Sequence, residues 1–136
     1  MLKTQKRQIH LPQPHSGQQI VRAEARRHNW LAAGRRWRKT TLAMAICIEG
    51  ALEGEEWIWG APTVDQTRNA WREMRTAAGD VAQFRKAEHT VEFPGGGRVL
   101  LRSLDNPDNT RGWTADGVVI DESADVSDTA WYEVLR

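Results

Sequence analysis

At 136 residues, with 40% hydrophobic and 27% charged residues, the chain has the size and composition of one modest globular domain or a piece of a larger one. A formal net charge of +1 excludes a strong whole-molecule field toward nucleic acid, and the one cysteine, Cys47, excludes an internal disulfide framework or a cysteine zinc cluster. No apolar run approaches membrane-spanning length, and the basic N-terminus lacks the apolar core of a secretion signal, so a reducing cytosol is the expected compartment. Charge is unevenly placed: residues 1–40 hold many Lys and Arg and only the acid Glu24, whereas the last third is acidic.

Residues 1–14 are polar, with Pro12 and Pro14, and read as a flexible basic arm ahead of a domain spanning 15–136. Ser16 can cap a helix over about 17–28, and the apolar run Asn29 to Ala33 suggests a short strand. After the loop 34–38, a helix is expected from Lys39 to Gly54, with Leu42, Ala45, Ile48 and Leu52 on one stripe. Trp57 to Ala61 reads as a strand closed by Pro62. Thr63 can cap a third helix with Val64, Thr67, Trp71, Met74 and Ala78 on a common face. Thr90–Phe93 and 98–104 read as two strands of a hairpin around Pro94-Gly95-Gly96-Gly97. A loop over 105–113, a buried-type strand over Gly117–Asp121 and a final helix 129–135 capped by Asp128 complete the order. Seven tryptophans are expected mostly in packing roles, and the four histidines, without metal-ligand spacing, as solvent-facing or capping residues. Strands alternating with helices predict an α/β domain with a mainly parallel sheet.

Two segments carry chemistry. The run Gly34-Arg35-Arg36-Trp37-Arg38-Lys39-Thr40-Thr41 precedes a helix, and Val118-Val119-Ile120 ends in Asp121-Glu122. Phosphate loops work because backbone N–H groups and a helix N-terminus point at the anion, a Lys reaches the terminal phosphates, and the next Ser or Thr holds Mg²⁺. Lys39 and Thr40 suit those roles, although the two glycines of the usual pattern would fall on Ala33 and Arg38. An Asp at the end of a parallel strand can hold Mg²⁺, and a neighbouring Glu can deprotonate an attacking water. The alternative reading is that Asp121-Glu122-Ser123 caps the next helix.

These residues, in this order, resemble the N-terminal ATPase domain of the large terminase subunit of tailed bacteriophages and prophages, over about residues 11–136. His15-Ser16-Gly17-Gln18 is similar to that family's adenine-reading glutamine motif, and residues 34–40 to its arginine-rich phosphate loop. Ala61-Pro62-Thr63, and Asn106-Pro107-Asp108-Asn109-Thr110-Arg111-Gly112 followed by Gly117 to Glu122, match in sequence order. The resemblance implies a RecA-like P-loop NTPase core, incomplete at its C-terminus, that binds ATP and Mg²⁺ and drives double-stranded DNA into a procapsid. It implies that Gln18 contacts adenine and that residues 34–41 cradle phosphate. Arg35 would act on the γ-phosphate in cis, Thr40 and Asp121 would hold Mg²⁺, and Glu122 would be the catalytic base. Arg111 would be a trans-acting finger, or on the other reading a loop residue paired with Asp105, Asp108 or Asp116. The implied partners are DNA, a portal protein, a small terminase subunit and copies of the chain in a ring, in the bacterial host cytoplasm at the procapsid portal, with no membrane. The chain departs from the pattern by Arg38 in place of a glycine and by lacking the family's later lid and nuclease segments. An inactive nucleotide- or DNA-binding remnant and the first core domain of a helicase-like ATPase are the competing readings.

Overall fold

A computed structural model describes residues 8–11, 13–26, 29, 31–32, 37–105 and 114–126. In chain order these form helix α1 (Ser16–Ala23), helix α2 (Lys39–Leu52), strand β1 (Glu56–Ala61) and helix α3 (Val64–Ala78), followed by strands β2 (Gln83–Arg85), β3 (Thr90–Glu92), β4 (Arg98–Ser103) and β5 (Gly117–Ile120). The five strands make one sheet in the order β2-β3-β4-β1-β5. β1 runs parallel to both β4 and β5, while β2–β3 and β3–β4 are antiparallel. The fold is therefore α/β, but the sheet is mixed rather than mainly parallel. The reason is local: the Pro94–Gly97 turn folds β4 back on β3, with Gly95 and Gly96 at positive φ of 93° and 94° that side chains resist. The three-residue β2, too short to show a sequence period, adds the outer antiparallel edge.

The core lies between the sheet and helices α2 and α3. Trp59, Ile48, Met74, Leu101, Val91, Val99 and Cys47 are its largest fully buried side chains. Burial pushes the Cys47 thiol up to about 12, so it stays a protonated, unreactive packing group. The stripe expected on α2 is too narrow: Leu42, Met44, Cys47, Ile48, Gly50 and Ala51 are all buried, whereas Leu52 is exposed. A helix apolar on several sides is one that packs on several sides, which a single-stripe pattern does not capture. On α3 the buried set is Thr67, Ala70, Met74, Ala77 and Ala78, with Val64 exposed and Trp71 half-buried. Thr63 caps α3 as expected, in a reciprocal pair with Gln66.

Other expectations need correction. His15, not Ser16, is the N-cap of α1, and the helix stops at Ala23. No strand is found at Asn29, Leu31 and Ala32; the Asn29 side chain instead exchanges two hydrogen bonds with the Arg26 backbone, a local turn that competes with extended pairing. The arm is not free throughout, because Ile9 and Leu11 pack against the core and His10 N–H donates to the Ala77 carbonyl at 2.7 Å. The final helix 129–135 and most of the loop 105–113 lie outside the described residues. No helix among the described residues is long and apolar enough to cross a membrane.

Trp57 sets the spacing between α2 and β5. A β-carbon built on Gly50 would stand 2.0 Å from its indole Nε1, and one on Gly117 would stand 2.4 Å from its six-membered ring. Both glycines leave room for this one ring. Helix propensity alone would make Gly50→Ala stabilising by about 1 kcal/mol. The clash reverses the sign: Gly50→Ala and Gly117→Ala should each lose about 1–3 kcal/mol in urea denaturation. The loss should shrink when Trp57 is also shortened to Leu, as read by a double-mutant cycle.

Candidate functional site

The site forms where α2 begins and β5 ends. The register of β5 on β1 pairs Gly60 with Ile120, and Asp121 N–H continues the ladder by donating to the Gly60 carbonyl at 2.9 Å. That bond fixes Asp121 at the carboxyl edge of the sheet. There its Oδ2 accepts a 2.6 Å hydrogen bond from the Thr40 hydroxyl, in the first turn of α2 and 81 residues away in sequence. The other oxygen, Oδ1, accepts from Glu122 N–H at 3.0 Å. Lys39 is the first residue of α2 and is half-buried. Thr41, the next residue, lines two grooves beside α2, one of them shared with Gln18.

Backbone strain marks both halves of this junction. The described chain has three non-glycine residues at positive φ: Arg38 (64°), His89 (48°) and Glu122 (50°). Two of them directly flank the Thr40–Asp121 contact. Such conformations cost about 1–3 kcal/mol each and persist only where surroundings enforce them, and they concentrate at functional sites. Arg38 is the N-cap of α2 and offers no side-chain cap. Its left-handed backbone is one that glycine adopts without strain and an arginine does not. Glu122 is exposed and is the N-cap of the 3-10 turn Ser123–Asp125: its carbonyl accepts from Asp125 N–H at 3.1 Å, while its side chain makes no capping bond.

A second layer holds the loop from behind. Gln18 is buried at 4% exposure, and its amide is nearly saturated. Nε2 donates to the carbonyls of Trp37 (3.3 Å) and Arg38 (3.2 Å), and Oε1 accepts from His15 N–H at 3.1 Å. The His15 ring joins it, bonding the Trp37 carbonyl through Nε2 at 2.9 Å and meeting the Trp37 indole edge-on. In this state Gln18 braces loop backbone, and only one Oε1 lone pair is uncommitted. A groove of about 210 Å³ opens beside it, lined by Leu11, Pro14, Gln18, Thr41, Ala45 and Glu49 among others. Arg22 spans its rim from α1 to α2, with Nη1 donating to Glu49 Oε1 at 2.9 Å. The hydrogen bonds to Glu49 hold the Arg22 pKa above its ordinary value.

Of the residues expected at the site, Gln18, Trp37, Arg38, Lys39, Thr40, Asp121 and Glu122 gather around this junction. Gly34, Arg35, Arg36 and Arg111 lie outside the described residues. The bond from the His15 ring to the loop is not foreseeable from sequence: His15 stands in the motif that ends in Gln18, but its spacing marks only a capping role. No cluster of three metal-ligating side chains occurs among the described residues. A Mg²⁺ bound with a nucleotide would take most of its ligands from water and phosphate, and Thr40 and Asp121 carry the protein oxygens here that could share in holding one. Compared with known proteins, the chain matches no family model, no curated protein and no solved structure.

The left-handed Arg38 yields a stability test. Arg38→Gly removes about 1 kcal/mol of strain and adds about 0.5–1 kcal/mol of chain entropy to be lost, so its urea midpoint should stay close to that of the native chain. Arg38→Val, β-branched at the same φ, should lose about 1–3 kcal/mol. Equal stabilities of the Gly and Val variants would contradict the geometry.

Proposed function

We propose that the chain carries a Mg²⁺-ATP site of the phosphate-loop type and that it is the ATPase part of a DNA-packaging motor. The observation that carries the reading is the 2.6 Å bond between Thr40 at the start of α2 and Asp121 at the end of β5. It unites a Lys-Thr helix start with an Asp-Glu strand end, two features far apart in sequence. The first turn of α2 presents backbone N–H groups and the positive end of the helix dipole, which suit a phosphate group. Lys39 stands at that turn to reach the terminal phosphates. Thr40 and Asp121 would hold Mg²⁺, which when bound neutralises charge building on the phosphate oxygens. Glu122, exposed beside Asp121, would orient an attacking water and accept its proton.

The groove next to Gln18 supports a base subsite. At about 210 Å³ it is below the 300–1,000 Å³ of pockets that engulf whole ligands, and it suits one ring system with the phosphates outside. The narrower reading, packaging of double-stranded DNA with portal protein, small terminase subunit and ring partners, rests on the resemblance of residues 15–18, 34–40, 61–63, 106–112 and 117–122 to large terminase subunits.

A second reading, binding without turnover, is motivated by Arg38. Its side chain stands where a glycine would let backbone approach phosphate closely, and the strain at φ 64° is not relieved. Phosphate release with Mg²⁺-ATP and duplex DNA separates the two. On the motor reading the native chain hydrolyses ATP, Lys39→Ala loses both binding and turnover, and Glu122→Gln keeps binding while turnover falls by about 10²-fold or more. Binding without release in the native chain, restored to release by Arg38→Gly, would favour the second reading. Unchanged turnover in Lys39→Ala would remove the assignment of that residue.

A further inference from the structure

We propose that His15 is a positioning residue for the loop entering α2, acting as a neutral imidazole that ties the loop's carbonyl groups to the first turn of α1. The hydrogen bonds determine its tautomer. Gln18 N–H can only donate, and it points at His15 Nδ1 at 3.3 Å, so Nδ1 bears no proton. The proton is then on Nε2, which donates to the Trp37 carbonyl at 2.9 Å. A single ring thus caps α1 with one nitrogen and holds the loop with the other. The Trp37 carbonyl receives a second bond from Gln18 Nε2, and the Arg38 carbonyl receives one from the same amide and one from Leu42 N–H at 3.1 Å.

The consequence is directional. Two consecutive carbonyls, Trp37 and Arg38, are turned toward α1. Holding these carbonyls against α1 fixes the backbone that leads into the first turn of α2, whose N–H groups would face an anion. Trp37 also closes on α1, its indole nitrogen lying 3.1 Å from the place a β-carbon on Gly17 would occupy. His15 touches no expected ligand and acts only through the loop. The effect on nucleotide affinity rests on the Mg²⁺-ATP reading; the bracing itself does not.

Capping and bracing separate chemically. Asparagine is a strong N-cap whose Oδ1 can accept from Gln18 N–H, but it is too short to replace Nε2 at the Trp37 carbonyl. His15→Asn in the full chain should keep the native melting midpoint, while exchange of the Leu42 amide, which donates to the Arg38 carbonyl, rises about tenfold and Mg²⁺-ATP binding by calorimetry weakens about three- to tenfold. His15→Ala should add faster exchange across α1. If His15 merely capped α1, His15→Asn would match the native chain in both exchange and affinity, and that result would overturn the proposal. Should the native chain bind no Mg²⁺-ATP, the nucleotide reading fails on its own. The exchange comparison then still decides the bracing role: raised exchange in His15→Asn upholds it and unchanged exchange overturns it.

Discussion

The site depends on β5 lying parallel to β1. Parallel pairing brings both strands to the same edge of the sheet, and the Gly60–Ile120 register with the Asp121-to-Gly60 bond leaves Asp121 as the first residue beyond the strand. An antiparallel β5, or one shifted by a single residue, would send Asp121 to the opposite edge or face. The 2.6 Å bond to Thr40 closes that arrangement by tying the sheet edge to the start of α2. Asp121 is thereby held by the strand behind it and the helix beside it, with two hydrogen bonds on its carboxylate.

Packing behind the edge serves the same placement. α2 is buried on several sides because it lies against β1, β4 and β5 while also carrying α1 on its outer flank. Trp57 fits between Gly50 of α2 and Gly117 of β5, so the helix start and the strand end are spaced by one aromatic ring. On the other side, the arm residues Ile9 and Leu11 pack against the core, and His15 and Gln18 of the α1 cap bond the Trp37 and Arg38 carbonyls. Strain at Arg38 and Glu122 is sustained by these contacts, since neither backbone would hold a left-handed conformation unaided.

Much of this was legible in the residues. Thr63 and Gln66 announce the cap of α3, the Pro-Gly-Gly-Gly turn announces the β3–β4 hairpin, and an apolar run ending in Asp121 announces a strand with a carboxylate at its end. What sequence could not show has physical causes. β2 is too short for a period and owes its existence to pairing with β3. The apolar run after Arg26 suggests a strand, but its described residues Asn29, Leu31 and Ala32 form none, and the Asn29 amide bonds the Arg26 backbone locally. The orientation of Gln18 and His15 toward the carbonyls of residues 37 and 38 is a tertiary fact, as is the left-handed backbone of Arg38, since an arginine carries no signal for it.

The most direct test of a shared site at Thr40 and Asp121 is calorimetric titration of ATP, with Mg²⁺ and with chelator, into the native chain and Thr40→Val. The account predicts that the native chain binds ATP more tightly with Mg²⁺, and that Thr40→Val, still folded by circular dichroism, loses that Mg²⁺ dependence. Binding that is identical in the two chains, or no binding by the folded native chain, would contradict it.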